Sequence, residues 1–455
     1  MIESVRTAFS LPDLRKRIFY TIGLLVVYRL VANIPVPGVN LEAWMAFSTQ
    51  ESGNAVINFL DLLSGGAVRN FSVMAMGVYP YITASIIIQL LTPIIPHLQE
   101  LSTEGETGRN KINKLSYYLT VPLAFLQAVG QIRLIGFSLP GGLDQLMPHF
   151  GMSGDKILPT MVTLFAMLGG TMFAIWLGEL ITEDGIGQGI SLIIFGGIVS
   201  GILPNIARIF SMDDMTARIF TTLAFVVVML STVLVIVYIQ EGQRRIPVQY
   251  GRRVRGRKVY QGQSSHVPLR VNTAGMIPII FAQSFLTFPP LIAALFVTGS
   301  GGFIDSIATS ISSFSSVASP QDNPFQFFAY WSVYFLLVVG FTFFYTDVMV
   351  KQQNLAQTLQ RQGGFIPGIR PGKRTDDYLM AVVRRITLAG AVFLGIVATL
   401  PGILAIIGML LQIDGLQNAL VVRGSGLIIV VGVVIDTMRQ LESQLLMRHY
   451  EGFTK

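Results

Sequence analysis

Eight stretches of this chain run for at least 18 residues without an Asp, Glu, Lys or Arg: 70–99, 115–132, 157–178, 185–207, 219–240, 271–304, 323–346 and 386–413. A helix needs about 20 mainly apolar residues to cross the hydrocarbon core of a bilayer, so each run is long enough to span one. Two shorter runs join them. Ile18 to Tyr28 continues past Arg29 to Ile34, and Gly424 to Ile435 continues past Asp436; a charge near a helix end reaches the interface on its own side chain. The expectation is an all-α polytopic membrane protein with ten transmembrane helices, and an even number puts both termini on one side. Composition agrees: 52% of residues are hydrophobic, 13% charged, and the mean hydropathy is +0.60, outside the range of soluble domains.

Sidedness follows from Lys and Arg. The N-terminus, the connections after spans two, six and eight, and the C-terminal tail hold 25 of the 32 basic residues, so these segments are expected in the cytosol. The net charge of +7 is thereby gathered on one face, where anionic lipid, nucleic acid or an acidic partner meets it. The chain has no cysteine, which excludes disulfides and thiol chemistry. Met1 to Arg17 resembles the basic start of a signal peptide, but the apolar run after it leads into Ile34-Pro35-Val36-Pro37-Gly38 rather than a small-residue cleavage site, and it is read as retained.

The stretch from Asn58 to Leu91 departs most from a plain membrane anchor. Phe59, Leu60, Leu62 and Leu63 alternate with Asp61, Ser64 and Arg69, and after Gly65-Gly66 the chain restarts as a charge-free run interrupted by Pro80. Ile82 and Ile86 then fall four apart, on one helical face. A polar half-helix returning into the membrane suggests backbone that lines or blocks a cavity, where irregular structure is tolerated.

Span seven repeats the feature. Met276-Ile277-Pro278-Ile279-Ile280 answers Val78-Tyr79-Pro80-Tyr81-Ile82 of span two, and interrupted helices at matching positions point to an inverted repeat with a pathway between its halves. The halves are placed at 1–206 and 207–455. Glycine is abundant, 45 residues against an expectation of about 7%, and Gly169-Gly170 and Gly196-Gly197 inside spans are read as close helix packing.

Two cytosolic connections are too long and too patterned to serve topology alone. Residues 243–270 alternate basic residues with Ile246, Val248, Tyr250, Val254 and Val259, as a positively charged two-stranded hairpin does. Within 347–385, Gly363 to Thr375 is fixed by glycines and prolines, with Arg370 near its tip. The outer connections 139–154 and 298–324 are low in charge and look like simple loops.

Catalytic and metal-binding signatures are missing, so no enzyme, cofactor or metal is expected. His97, His149, His266 and His449 have no metal-ligand spacing. Gly185-Ile186-Gly187-Gln188-Gly189 lacks a preceding strand and a following Lys-Ser/Thr, and Pro371 to Thr375 lacks the upstream glycine of a nucleotide loop. An ion-coupled secondary transporter remains the alternative. It needs a midplane polar site, for which only Gln89, Gln127, Asn272 and Gln283 are candidates. What mid-depth offers instead is branched aliphatics: Ile82, Ile86, Ile190, Ile194, Ile280 and Ile429. An apolar constriction keeps ions out by dewetting, although for any single isoleucine core or lipid packing is the commoner reason.

Seven segments resemble the SecY family of channel-forming translocon subunits: Tyr28 to Asn40, Phe59 to Leu91, Gly185 to Val199, Arg244 to Arg253, Pro268 to Ala282, Phe365 to Thr375, and Leu427 to Phe453. Gln188 stands where the family usually has Asn, and Gly432 interrupts a usually β-branched run. The resemblance implies ten helices in two pseudo-symmetric five-helix halves around a central pore that conducts unfolded polypeptide and releases apolar segments into lipid. It implies a pore ring of the six isoleucines above and a plug at 58–70, including Phe59, Leu60, Asp61, Leu62, Leu63, Ser64, Gly65, Gly66 and Arg69. It further implies a lateral gate of spans two and three against seven and eight, with Ile87, Gln127 and Phe288. Docking falls to Arg244, Arg245, Arg252, Arg253, Arg255, Arg370, Lys373 and Arg374. The implied partners are SecE-like and SecG-like small membrane subunits, a SecA-type motor ATPase, the ribosome, signal-bearing polypeptides and anionic lipids. The implied location is the bacterial cytoplasmic membrane, with both termini cytosolic.

Overall fold

The computed structural model describes residues 9–49, 60–61, 63–139, 142–151, 154–210, 215–250, 253–255, 258–260, 264–297, 302–314, 323–411 and 424–451. Every apolar run carries a helix. In the first part of the chain these are α1 (Pro12–Val31), α2 (Leu41–Thr49), α3 (Tyr79–Leu91), α4 (Pro96–Thr103), α5 (Glu106–Ser138), α6 (Gly142–Leu146), α7 (Ile157–Asp184), α8 (Gly189–Phe210) and α9 (Met215–Glu241). After the strands β1 (Gln243–Tyr250), β2 (Arg253–Arg255), β3 (Lys258–Tyr260) and β4 (Ser264–Arg270) come α10 (Ile277–Phe296), α11 (Phe303–Phe314), α12 (Pro324–Gln353) and α13 (Leu355–Arg361). Strand β5 (Gly364–Phe365) then leads to α14 (Lys373–Leu411) and α15 (Gly424–Glu451).

Among the described residues, five stretches are long and apolar enough to cross a membrane: Glu106–Gly136, Gly154–Asp184, Ile277–Phe296, Pro324–Arg361 and Lys373–Leu410. The helices Tyr79–Leu91 and Pro96–Ser102 make up a sixth if the pair, bent by 104°, counts as one span. This is a multi-pass membrane protein. The helices α8 and α9 contribute shorter apolar stretches, Gly189–Ile202 and Phe225–Glu241.

Neither proline singled out in the sequence interrupts a helix. Pro80 and Pro278 lie in the first turns of α3 and α10, where the missing N–H is one the helix leaves unpaired anyway and the fixed φ suits the helix. The charge-free run at 70–99 is therefore not one helix: residues 73–78 are turns. Their polar backbone is satisfied locally and by the chain after α1, through Val36 N–H to the Phe71 carbonyl, Val73 N–H to the Ile34 carbonyl, and a bridge between Pro35 and Ser72. Such closure is what permits non-helical backbone inside an apolar core. Prolines that do sit inside helices include Pro122 in α5, Pro289 and Pro290 in α10, and Pro401 in α14.

One large apolar core joins α1, α3, α5, α7, α8, α10, α12, α14 and α15. Two seams bring the first 206 residues against the remainder: α3 and α5 pack on α10, and α8 packs on α15. The described parts of the connections 139–154 and 298–324 are more than loops. Leu146 and Met147 are buried beside α2, with Asn40 N–H bonded to the Leu146 carbonyl, and α11 buries Ala308 and Ser312 while exposing Phe303 and Ile307.

Candidate functional site

All six isoleucines belong to or pack against the large core. Ile82 and Ile86 come from α3, Ile190 and Ile194 from α8, Ile280 from α10 and Ile429 from α15. Five are buried, and Ile190 is half-buried against the same cluster. Each of the four helices places an isoleucine within its first two turns. Leu60, Leu63 and Val68 belong to the same core. Burial of branched side chains with few polar atoms makes this centre water-repellent.

The segment 60–70 is less helical than expected. Residues 60, 61 and 63 form a helical turn, 64–66 turn back, and Val68–Asn70 is a 3-10 turn; Asn58, Phe59 and Leu62 lie outside the described residues. Asp61 is held by Arg69, whose Nε and backbone N–H donate to its two carboxylate oxygens at 2.9 and 3.2 Å. Tyr28 of α1 donates to the Ser64 carbonyl at 2.6 Å, and the Arg29 guanidinium donates to the Gly65 carbonyl. From α2, Trp44 Nε1 donates to the Arg69 carbonyl at 2.7 Å. Gly65 and Gly66 have φ of +66° and +84°, the left-handed region that glycine adopts without strain.

The second glycine of each pair read as helix packing meets this segment and the turns after it, not another helix. A Cβ on Gly197 of α8 would lie 2.0 Å from Gly65 Cα, and one on Gly170 of α7 would lie 2.2 Å from the Val73 carbonyl oxygen. Their neighbours Gly169 and Gly196 have no such contact closer than 3.7 Å. Backbone approaches backbone here because no side chain intervenes.

Along the seam of α3, α5 and α10 runs a buried polar layer. Gln127 donates to Thr83 Oγ1 at 3.3 Å, Gln131 to the Ala75 carbonyl at 3.4 Å, and Tyr79 OH to the Ser284 carbonyl at 3.5 Å. Gln127 Oε1, Gln131 Oε1 and Ser284 Oγ are buried without a hydrogen bond, a costly arrangement that weakens this seam relative to an apolar one. Ile87 of α3 and Phe288 of α10 are half-buried. Thr83, Gln131, Ser284 and Thr287 escaped the sequence reading, although polar residues within charge-free runs were the available signal. The four candidates for a transporter site each bond a different partner. Gln89 bonds Ser85, Gln127 bonds Thr83, Asn272 bonds the Gly275 carbonyl and Gln283 accepts from Tyr334.

The two basic connections form one unit. β1 pairs antiparallel with β4, Ile246 opposite Val267, and also with β5, Gln249 opposite Phe365 and Tyr250 opposite Gly364. The expected two-stranded hairpin is thus a three-stranded sheet whose third strand comes from the other connection, while β2 and β3 pair as a separate ribbon. Ile246 and Val248 face a second core with Leu359, Ile366, Leu379 and Val383, while Arg244 and Arg245 are exposed. Arg370, Lys373 and Arg374 are exposed beside a turn closed by Thr375 Oγ1 on the Arg370 carbonyl. Arg253 and Arg255 lie on β2, and Arg252 lies outside the described residues. At the end of β4, partial desolvation pulls the Arg270 pKa down, and the like charge of Arg439 lowers it further against Asp436 and Glu241. Arg439 itself pairs with Glu241 at 2.7 Å.

The family model described as SecY matches residues 72–438. The chain belongs to the SecY family. Among SecY relatives, the protein translocase subunit SecY of Halalkalibacterium halodurans is 39% identical over the full length of both chains, and that of Bacillus subtilis is 38% identical with the same coverage. Solved structures share the fold. A structure described as that of a protein conducting channel has a TM-score of 0.63 at 19% identity, covering 94% of this chain and 91% of that one. Sec61 in a canine ribosome–channel complex from the endoplasmic reticulum has a TM-score of 0.61 at 18% identity, with the same coverage.

Proposed function

We propose that this SecY-family chain is a passive protein-conducting channel, through which unfolded polypeptide crosses the bacterial cytoplasmic membrane. The observation that supports the reading is that six isoleucines from four helices share one apolar core with Leu60 and Leu63. In this reading they form the pore ring, and 58–70 is the plug that rests against it. Ten spans in two pseudo-symmetric halves, 1–206 and 207–455, surround the pathway, with both termini in the cytosol; the two inter-half seams and the one-sided basic charge support that arrangement. SecE-like and SecG-like subunits cover exposed flanks of the bundle, and anionic lipid meets its basic face.

The driving force is supplied by a ribosome or a SecA-type motor docked on Arg244, Arg245, Arg252, Arg253, Arg255, Arg370, Lys373 and Arg374. Sec61 in its ribosome–channel complex is a structural neighbour, and a contact to RNA phosphates weakens with salt. A signal sequence wedges between α3 or α5 and α10 at Ile87, Gln127 and Phe288, where the unpaired polar atoms lower the cost of opening. The plug then leaves, and the isoleucines close around the moving chain without hydrogen bonds to lose. Segments rich in Leu or Ile exit sideways, because each such residue gains a few tenths of a kcal/mol in lipid while Lys or Asp costs about 3 at the helix centre.

Purified chain in vesicles, with the small subunits and a motor ATPase, should carry a signal-bearing reporter to a protease-protected interior. Deletion of 58–70 should open an ion conductance. Accumulation of a small solute down an ion gradient with no protected reporter would overturn the reading in favour of a transporter.

A further inference from the structure

Arg133 lies in α5 directly after the charge-free run 115–132. Arg133 lies in the last turn of this span, and its half-buried guanidinium needs hydrogen-bond partners. Here the partner is a backbone carbonyl: Arg133 donates to Leu295, next to the last residue of α10. The final carbonyls of a helix have no intrahelical donor and carry partial negative charge, so a cation is held well there. One turn back on α5, a Cβ on Gly130 would lie 2.5 Å from the Leu291 carbonyl oxygen, and one turn further Gln127 reaches Thr83. Residues 127, 130 and 133 share a face at helical spacing, and Leu291 and Leu295 do so on α10. The two helices are thus in register through a close backbone approach and a charge-assisted hydrogen bond.

We infer that Arg133 is a clasp between α5 and the C-terminal end of α10, and that it sets how apolar a translocating segment must be before it leaves sideways. The inference rests on the reading of this seam as the lateral gate. Opening the seam parts Arg133 from Leu295, so the exiting segment has to repay that bond. Gly130 makes the clasp possible, since a side chain there would hold the helices too far apart for the bond to close.

The test uses the full chain in its membrane and a series of reporter segments graded in leucine content, scored for lateral insertion against full translocation. Arg133→Leu should reach half-insertion with about five fewer leucines than the parent, the ratio of a charge-assisted bond to the gain per leucine. Gly130→Ala should shift it the same way, and Arg133→Lys, which keeps a donor, should shift it less. A parent threshold that Arg133→Leu and Gly130→Ala leave unmoved overturns the clasp alone, and an Arg133→Lys shift as large as that of Arg133→Leu overturns the donor role. A parent that shows no threshold at all overturns the gate reading beneath it. Should Arg133→Leu fail to accumulate in the membrane, the Lys and Gly130 variants carry the test.

Discussion

Gly197 and Gly65 touch backbone to backbone, and that contact, with Tyr28 and Arg29 bonded to the carbonyls of Ser64 and Gly65, is what fixes segment 60–70 in the core. Gly197→Ala should therefore lower thermal stability by about 1–3 kcal/mol, the usual cost of overpacking, whereas Gly196→Ala, with its nearest contact at 3.7 Å, should be near neutral. Thermal midpoints of the two variants in detergent check this, and equal midpoints would contradict it. The isoleucines give a second prediction at the same scale. Ile82→Asn or Ile429→Asn puts an amide where the core is apolar, which wets the constriction, so export of a reporter with a defective signal should rise several-fold. Unchanged export in both variants would remove the two positions from the ring.

Among elements, helix positions were readable because charge is nearly forbidden in lipid, and each charge-free run does hold a helix. Where those helices begin was not. Pro80 and Pro278 look like breaks in a run of apolar residues, but proline is at ease in a first turn, and residues 73–78 make turns that no hydropathy pattern distinguishes from helix. Strand β5 was equally invisible. Two residues, Gly364 and Phe365, are too few to show a period of two, and they pair with a partner more than 100 positions away. The same holds for Gly130 and Arg133, which gain meaning only from the carbonyls of α10 opposite them. The sheet that results binds the two basic connections into one surface, so Arg370→Glu should weaken ribosome or motor binding without disturbing the helices. Co-sedimentation across a salt series should show weaker binding and a shallower salt slope, while the thermal midpoint stays put; wild-type binding would take Arg370 out of the docking surface.

Over the whole molecule, two seams divide one apolar core, and the six isoleucines lie within it. An all-helical bundle whose centre is branched aliphatic can be a plain core, and what separates a core from a conduit is whether another chain passes through. The absence of cysteine from the sequence makes this directly measurable. Single cysteines are placed at Ile82, Ile280 and Ile429, and at the exposed positions Leu234 and Leu336, and a translocating polypeptide is stalled with one cysteine at mid-membrane. Disulfides should form at all three isoleucine positions and at neither exposed one; crosslinks at Leu234 or Leu336 with none at Ile429 would contradict the account.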